Sequence, residues 1–173
     1  MKRGSTMLSL ISILALGSLA PAPTLRHMFY PGKAFSANPS QNIGFQEGCV
    51  EVADIDTLFT PVFLPESSVV KYLTMYYGNS TVPANLTVSL VAHEIGLGWP
   101  THTTIAAVNG TIPDGFEAVT SSEISHTVDM SSTTYTIEIA QPYDMDRTTV
   151  VCGVRIDYIP PSIFAIALPT IIR

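Results

Sequence analysis

The sequence contains few charged residues. Only 13% of its 173 residues are charged, whereas about 25% is typical of globular proteins. Serine and threonine supply the polar faces instead. Threonine favours strands because its β-branched side chain packs well on a pleated surface. This composition is typical of an exported all-β protein.

Basic residues are especially scarce beyond the N-terminal segment. From residue 38 onward only four remain, whereas all fourteen acidic residues lie at or after Glu47. The four are Lys71, Arg147, Arg155 and Arg173. The lack of a basic patch in this part of the sequence argues against nucleic acid and anionic membranes as partners.

The sequence also lacks a catalytic motif. It contains no nucleophile elbow, phosphate-binding loop or dinucleotide fingerprint. His93 and Glu94 begin like a zinc-protease helix, but Leu97 stands where the second histidine is needed and Gly96 disfavours a helix. His102 follows across a predicted loop. We therefore expect ordinary polar residues at strand ends here, and no enzyme activity.

The N-terminus is predicted to be a signal peptide. Lys2 and Arg3 precede an apolar stretch, 7–16, and the small residues Gly17 and Ala20 follow. The stretch is shorter than the roughly 20 apolar residues of a membrane span. We assign 1–20 to the signal peptide, with cleavage near 17–20, and 21–28 to a linker. An uncleaved anchor is the alternative; either way the protein is secreted or lies in the cell envelope.

The most strand-like stretch is Val150–Ile159. Val150, Cys152, Val154, Ile156 and Tyr158 alternate with residues that include charged ones, which indicates a half-buried strand. We expect it to close a sheet against earlier strands. Further strands are predicted at 34–37, 49–53, 59–64, 69–77, 86–93, 103–108, 116–120, 126–130 and 134–140.

Individual residues predict where some of these strands lie in a sheet, which face they bury and where they end. Pro61 places its strand at an edge or at a bulge, because proline cannot donate to a central ladder. On the strand 69–77, Val69, Leu73, Met75 and Tyr77 share one face. Asn109 and Gly110 are predicted to form a tight turn after their strand.

Many short strands without helices predict an all-β fold. We expect a single antiparallel β-sandwich of jelly-roll type over 29–160, followed by an apolar tail, 161–173.

Several phrases resemble a family of uncharacterised bacterial exported proteins of jelly-roll type. They are PGKAF at 31–35, GCV at 48–50, PVFLP at 61–65, VKYLTMYY at 70–77, LTVSL at 86–90 and CGVRIDY at 152–158. The resemblance implies a β-sandwich outside the cytoplasm and no assigned activity. Two positions depart from it: Glu66-Ser67 stands where a turn glycine is usual, and Gly78-Asn79 stands where an aspartate is common. The tail resembles the Leu-Pro-rich, Arg-ended tails of some surface proteins, which hints at a sorting or anchoring signal.

Cys49 and Cys152 are the only cysteines. In an oxidising compartment such a pair most simply forms one disulfide. The first and last regions of a jelly roll often lie side by side, which favours this pairing. Two buried free thiols are the alternative.

Two acidic pairs lie in predicted loops, Asp54 with Asp56 and Asp144 with Asp146. Calcium takes six to eight oxygen ligands, which loop carboxylates can supply. A structural calcium ion is therefore one interpretation, and no other cofactor is expected. Turn aspartates that bind the backbone are the second interpretation. A glycosidase acid and base, which need a set separation, are the third.

Four aromatic residues are candidates for stacking on sugar rings: Trp99, Tyr72, Tyr76 and Tyr77. The alternative is that Tyr72 and Tyr76 face the second sheet while Trp99 caps the core.

The expected function is non-catalytic, with a structural, adhesive or ligand-binding role. A carbohydrate-binding module is the alternative, and a glycan-active hydrolase a weaker one. The expected partner is a glycan or another cell-surface component, with no membrane span after signal cleavage. Edge strands also permit self-association.

Overall fold

A computed structural model describes residues 24–37, 43–52, 57–78, 85–96, 101–111, 115–140 and 149–161. Within these ranges the chain forms eleven strands and one 3₁₀ turn, Gly32–Ala34. The strands are β1 Arg26–Pro31, β2 Phe45–Gln46, β3 Cys49–Val52, β4 Leu58–Val62, β5 Val69–Gly78, β6 Asn85–Glu94, β7 His102–Thr111, β8 Phe116–Thr120, β9 His126–Thr127, β10 Thr133–Ala140 and β11 Thr149–Ile159. The described part of the chain has no helix with the length and hydrophobicity to span a bilayer.

The strands form two antiparallel sheets, as the sequence predicts. The first has seven strands, in the order β2-β3-β11-β5-β8, with β1 also paired to β11 and β9 to β5. The second has four, in the order β4-β10-β6-β7. β4, which contains Pro61, lies at an edge, so that prediction is confirmed.

The core lies between the inner faces of the two sheets. Alternate residues of β6 and β10 are fully or almost fully buried, as their period-two pattern predicts: Leu86, Val88, Leu90, Ala92, Tyr135, Ile137 and Ile139. From the first sheet, Leu73, Met75 and Ile156 pack against them. Burying these apolar surfaces is the main favourable contribution to folding.

β11 is an interior strand rather than the closing one. It pairs with β5 along one edge, while β1 and β3 share the other. β1 was not predicted, and residues 26–28 of the predicted linker belong to it. The expected strand at 34–37 is replaced by the 3₁₀ turn and a single bridge between Ser36 and Phe59.

Two strands keep most of their predicted core face, Leu73, Met75 and Tyr77 on β5 and Val154, Ile156 and Tyr158 on β11. Each prediction is wrong at one end of its strand, where an irregularity interrupts the alternation. In β11 the register shifts between Val151 and Gly153, so Val151 lies in the core with Val154. The extra residue is Cys152. In β5 the shift at Lys71 buries Val70 instead of Val69. A bulge adds one residue and so inverts the alternation beyond it.

Asn109 and Gly110 do not form a turn. Both lie within β7, where they pair with Thr87 and Leu86. A Cβ atom at Gly110 would lie 2.6 Å from the Tyr77 ring. Glycine is therefore needed here because a core ring covers the backbone.

Ser67 has the left-handed backbone that the resemblance assigns to a turn glycine. Its φ is 60°, and Ser68 N–H donates to the Pro65 carbonyl at 3.1 Å to close the turn. We predict that Ser67→Gly raises the free energy of unfolding by roughly 0.5–1 kcal/mol, since the left-handed region is costly for residues with a Cβ atom. Urea denaturation measures it. Ser125→Gly, where φ is not positive, is the control and should give no gain.

His126 is a partly buried histidine on β9, where it pairs with Val70 of β5 in the first sheet. Its Nε2 lies 3.0 Å from the Tyr135 hydroxyl, which accepts a hydrogen bond from Asp129 N–H at 3.1 Å. The Tyr135 proton is therefore free to be donated to a neutral imidazole. Burial lowers the pKa of His126 below its usual 6.5.

This lowered pKa predicts a pH dependence of stability. Well above pH 6.5, the usual pKa, the histidine is neutral in both states and contributes no pH dependence. As the pH falls below that value, the unfolded chain binds the proton first, so the free energy of unfolding decreases. We predict that His126→Gln flattens this decrease in denaturation curves recorded between about pH 7 and 5. An equally steep decrease in the variant would assign it to other groups.

Candidate functional site

The outer face of the first sheet carries an aromatic platform, which we define as Phe29, Tyr76 and Phe116. β1 supplies Phe29, β5 supplies Tyr76 and β8 supplies Phe116. Tyr76 alternates with the buried Met75 and Tyr77, and it pairs with Gly153 on β11 and Ala118 on β8. The side chains of directly paired residues lie on the same face. Gly153 and Ala118 therefore leave space for rings above the sheet.

The Phe29 and Tyr76 rings contact each other above β11. Their centroids are 5.8 Å apart at an interplanar angle of 67°, an edge-to-face arrangement. A Cβ atom at Gly153 would clash with Phe29 Cζ and lie 2.8 Å from the Tyr30 carbonyl oxygen. The absence of a side chain at Gly153 is therefore what lets the Phe29 ring lie over the strand.

Two platform residues are widely exposed. Phe29 is 50% exposed and Phe116 is 66% exposed, while Tyr76 is half-buried between them. A groove of about 400 Å³ runs between Tyr76 and Phe116, with Ala118 and Cys152 also lining it. An apolar groove between exposed rings offers stacking surface to a flat ligand face.

A charged pair borders the platform. The Arg155 Nε and Nη2 atoms lie 3.2 and 3.1 Å from Asp157 Oδ2. The guanidinium Cζ lies 6.0 Å from the Tyr76 ring centroid, at the limit of a cation–π contact. Asp157 is 7% exposed and Arg155 retains a 37% exposed side chain. The pair can therefore offer the remaining guanidinium donors to a ligand without adding net charge.

The predicted aromatic candidates separate in the structure. Tyr76 belongs to the platform. Tyr72 lies on the same outer face, where it pairs with Asp157, so the alternative that both tyrosines face the second sheet is wrong. Tyr77 is 1% exposed and lies in the core, so no ligand can stack on it. Trp99 lies outside the described residues.

Sequence reasoning missed Phe29, Phe116, Gly153 and Arg155 as platform residues. A signal was present for Phe29, because His27, Phe29 and Pro31 alternate with Met28 and Tyr30 as strand residues do. For Phe116 the signal was weaker, since one exposed phenylalanine in a short strand is ordinary.

The two cysteines form the predicted disulfide. β3 and β11 are neighbours, and the Cα atoms of Cys49 and Cys152 lie 3.9 Å apart. Cys152 is the extra residue of the β11 irregularity, and it forms part of the groove floor. The disulfide thus joins the strands directly beneath the platform.

The other polar candidates do not form a metal centre in the described ranges. His93 and His102 pair across β6 and β7 with ring centroids 6.3 Å apart, at the ends of strands as expected. His93 Nε2 lies 2.7 Å from Thr136 Oγ1 and 3.6 Å from Glu138 Oε1. No three His, Cys, Asp or Glu side chains converge on one point among the residues that the structure covers. Asp54, Asp56, Asp144 and Asp146 lie outside those residues.

Known structures share this fold. No protein-family model matches the chain, and no curated protein sequence does. The carbohydrate-binding module CBM36 in complex with calcium and xylotriose matches with a TM-score of 0.52 at 14% identity, covering 75% of this chain and 98% of that one. The CBM22-2 xylan-binding domain from Paenibacillus barcinonensis Xyn10C matches with a TM-score of 0.50 at 9% identity, covering 75% of this chain and 97% of that one.

The fold also occurs in a different setting. The mosquito-larvicidal Cry4Aa toxin from Bacillus thuringiensis matches with a TM-score of 0.50 at 11% identity, over 78% of this chain and 23% of the toxin. At such identities the similarity shows the β-sandwich fold alone. It confirms the architecture that the sequence resemblance implies, and the site must supply any argument for function.

Proposed function

We propose that the protein binds glycans, without catalysis, through the aromatic platform on the outer face of its seven-stranded sheet. The observation that carries this proposal is the exposed edge-to-face pair of Phe29 and Tyr76 over Gly153. Exposed rings of this kind stack on the apolar faces of sugar rings. Arg155 and Asp157 supply hydrogen-bonding groups at the rim for sugar hydroxyls.

Two further facts support this proposal. Of two known structures with this fold, one is a complex with xylotriose and the other is a xylan-binding domain. The disulfide, together with the predicted signal peptide, supports a location outside the cytoplasm, where glycans are available.

Affinity electrophoresis through gels that contain neutral or acidic polysaccharides tests this function. The exported protein should be retarded by at least one polysaccharide, and Tyr76→Ala should migrate freely in the same gel. Phe63→Ala is the matched control, because Phe63 is 69% exposed but lies beyond β4, on the other sheet. Equal retardation of both variants would place the binding elsewhere, and no retardation by any polysaccharide would contradict the function.

We also propose that a calcium ion stabilises the end of the first sheet near the platform. Val52 of β3 pairs with Thr149 of β11. Asp54 and Asp56 follow Val52 directly in the chain, and Asp144 and Asp146 precede Thr149. The register therefore places side by side the two residues, Val52 and Thr149, that flank the acidic segments in the chain. The four carboxylates of these segments are the kind of oxygen ligand that calcium takes.

Thermal unfolding tests the calcium proposal. Calcium at millimolar concentration should raise the midpoint of the exported protein relative to a chelator, because an ion that binds only the folded state stabilises it. Asp144→Asn with Asp146→Asn should abolish that difference. Glu123→Gln, whose side chain pairs with Lys71 near the opposite end of β5, is the control and should preserve it. A midpoint independent of calcium in the unmutated protein would contradict the proposal.

A further inference from the structure

The two edge strands of the four-stranded sheet, β4 and β7, differ in whether other parts of the chain cover them. At β4, Ser36 and Phe59 exchange backbone hydrogen bonds of 3.0 and 2.9 Å, and Phe63 N–H donates to the Tyr30 hydroxyl at 3.4 Å. These contacts close that edge. At the opposite edge, β7 pairs with β6 alone among the strands described. The side of β7 that faces away from β6 is therefore unpaired in the described part of the chain. We call this side of residues 102–109 the open edge.

The hydrogen-bond pattern between β6 and β7 shows which residues of β7 direct their backbone groups away from β6. Glu94 N–H donates to the Thr101 carbonyl at 3.1 Å, so Thr101 faces β6. The register then runs without interruption through His102, Thr103 and Thr104. In an antiparallel ladder, consecutive residues alternate between facing the partner and facing away. The backbone groups of His102 and Thr104 therefore point out of the sheet.

This edge lacks the features that normally protect an exposed strand. Residues 103–109 contain no proline and no charged side chain. Exposed edges usually carry lysine, proline or a covering segment, because unprotected ones pair with other strands. The composition of β7 therefore fits an edge that is covered.

A groove runs beside the open edge and has a fixed opposite wall. It has a volume of about 400 Å³ and is lined by Thr104, Ile105, Ser121, Glu123, Ile124 and His126, among others. Ser121 N–H and Ile124 N–H donate to carbonyls of β5 at 2.8 and 2.7 Å, which fixes that wall to the first sheet. Ile105 and Ile124 are partly buried apolar residues that pack against the core. A covering strand would complete their burial.

The chain itself supplies a segment of suitable composition. Beyond Pro161, residues 163–168 read IFAIAL, in which Phe164, Ile166 and Leu168 alternate with Ile163, Ala165 and Ala167. No residue between 160 and 172 is charged. Alternating large and small apolar residues are typical of a strand with one face on a core.

The position of the β11 end lets this segment reach the open edge. Ile159 pairs with Val69, which pairs with Thr127 on its other side. Thr127 and Thr103 line one small pocket. The distance from β11 across β5 to β9 is about 10 Å, and residues 160–173 span on the order of 45 Å when extended. Enough chain therefore remains to run along β7.

We propose that residues 163–168 of the same chain add to the open edge as a fifth strand of the second sheet, parallel to β7. The direction follows because the tail leaves β11 at the end of the sandwich where β7 begins. The added strand exchanges backbone hydrogen bonds with His102 and Thr104. Its larger side chains fill the groove beside Ile105 and Ile124. The tail is thus an integral part of the domain.

Amide hydrogen exchange tests this proposal. In the exported protein the His102 and Thr104 amides should be protected. In a protein that ends at Pro161, both should exchange at least about tenfold faster, while the Ile137 amide in the middle of the sheet should be unchanged. If both amides exchange at the same fast rate with and without the tail, the proposal is wrong.

A variant and a dilution series separate the remaining outcomes. Ala165→Pro in the complete tail should reproduce the faster exchange, since proline lacks the N–H donor that strand pairing needs. This variant replaces the shortened protein in the test if the shortened protein fails to fold. Protection that is independent of protein concentration supports pairing within one chain. Protection that appears only with dimer formation would overturn that assignment and make a second copy the occupant of the edge.

Discussion

Replacing both Phe29 and Tyr76 by alanine should weaken glycan binding by about 30- to 700-fold. Each ring is expected to contribute about 1–2 kcal/mol of stacking, and 1.4 kcal/mol corresponds to a tenfold change in affinity. Because the rings also contact each other at 5.8 Å, the single substitutions should not be additive. Isothermal titration with the polysaccharide identified by electrophoresis measures the affinity of the unmutated protein, the two single variants and the double variant.

Folding should be little affected in these variants, which makes the result interpretable. Both rings lie on the outer face, away from the core, so unfolding midpoints should change far less than affinity. Phe63→Ala is again the control, with unchanged affinity expected. An affinity for the double variant within twofold of the unmutated protein would exclude the platform as the binding surface.

Removing the disulfide should give the largest change in stability. Cys49 and Cys152 are separated by 103 residues. In the chain-entropy model, a bond that closes about a hundred residues contributes about 4–5 kcal/mol by restricting the unfolded chain. Cys49→Ala with Cys152→Ala should therefore lower the free energy of unfolding by several kcal/mol in guanidinium denaturation.

Reduction of the unmutated protein provides an independent comparison. Under a reducing agent its free energy of unfolding should fall to near that of the double alanine variant, and the variant itself should not respond to the agent. Glycan affinity should also fall, because Cys152 lies in the groove beside Tyr76. A loss below about 1 kcal/mol would mean that the chain-entropy account fails for this protein.

The architecture was predictable because alternation reports directly on burial. The buried residues of β6 and β10, the edge position of Pro61 and the Cys49–Cys152 pair all follow from local patterns and compartment. The buried residues follow from alternation at period two in strands that pair without interruption. The position of Pro61 follows from its missing N–H, and the cysteine pair from the compartment.

The errors have a common physical cause, which is contact between residues distant in sequence. The irregularity at Cys152 inverts the faces of Val150 and Val151, and no local pattern marks it. Gly110 looks like a turn residue until the Tyr77 ring is seen above it. Phe29 becomes part of a site only because β1 pairs with β11 and brings its ring over Gly153.

The most direct test of the central claim is an NMR titration. It follows the aromatic ring signals while an oligosaccharide of the polysaccharide identified by electrophoresis is added. If the outer face of the seven-stranded sheet is the glycan site, the ring signals of Phe29 and Tyr76 shift together and saturate with one dissociation constant. The signals of Phe63 and of the buried Tyr135 stay unchanged. Saturable shifts confined to other rings, with Phe29 and Tyr76 unaffected, would contradict the account.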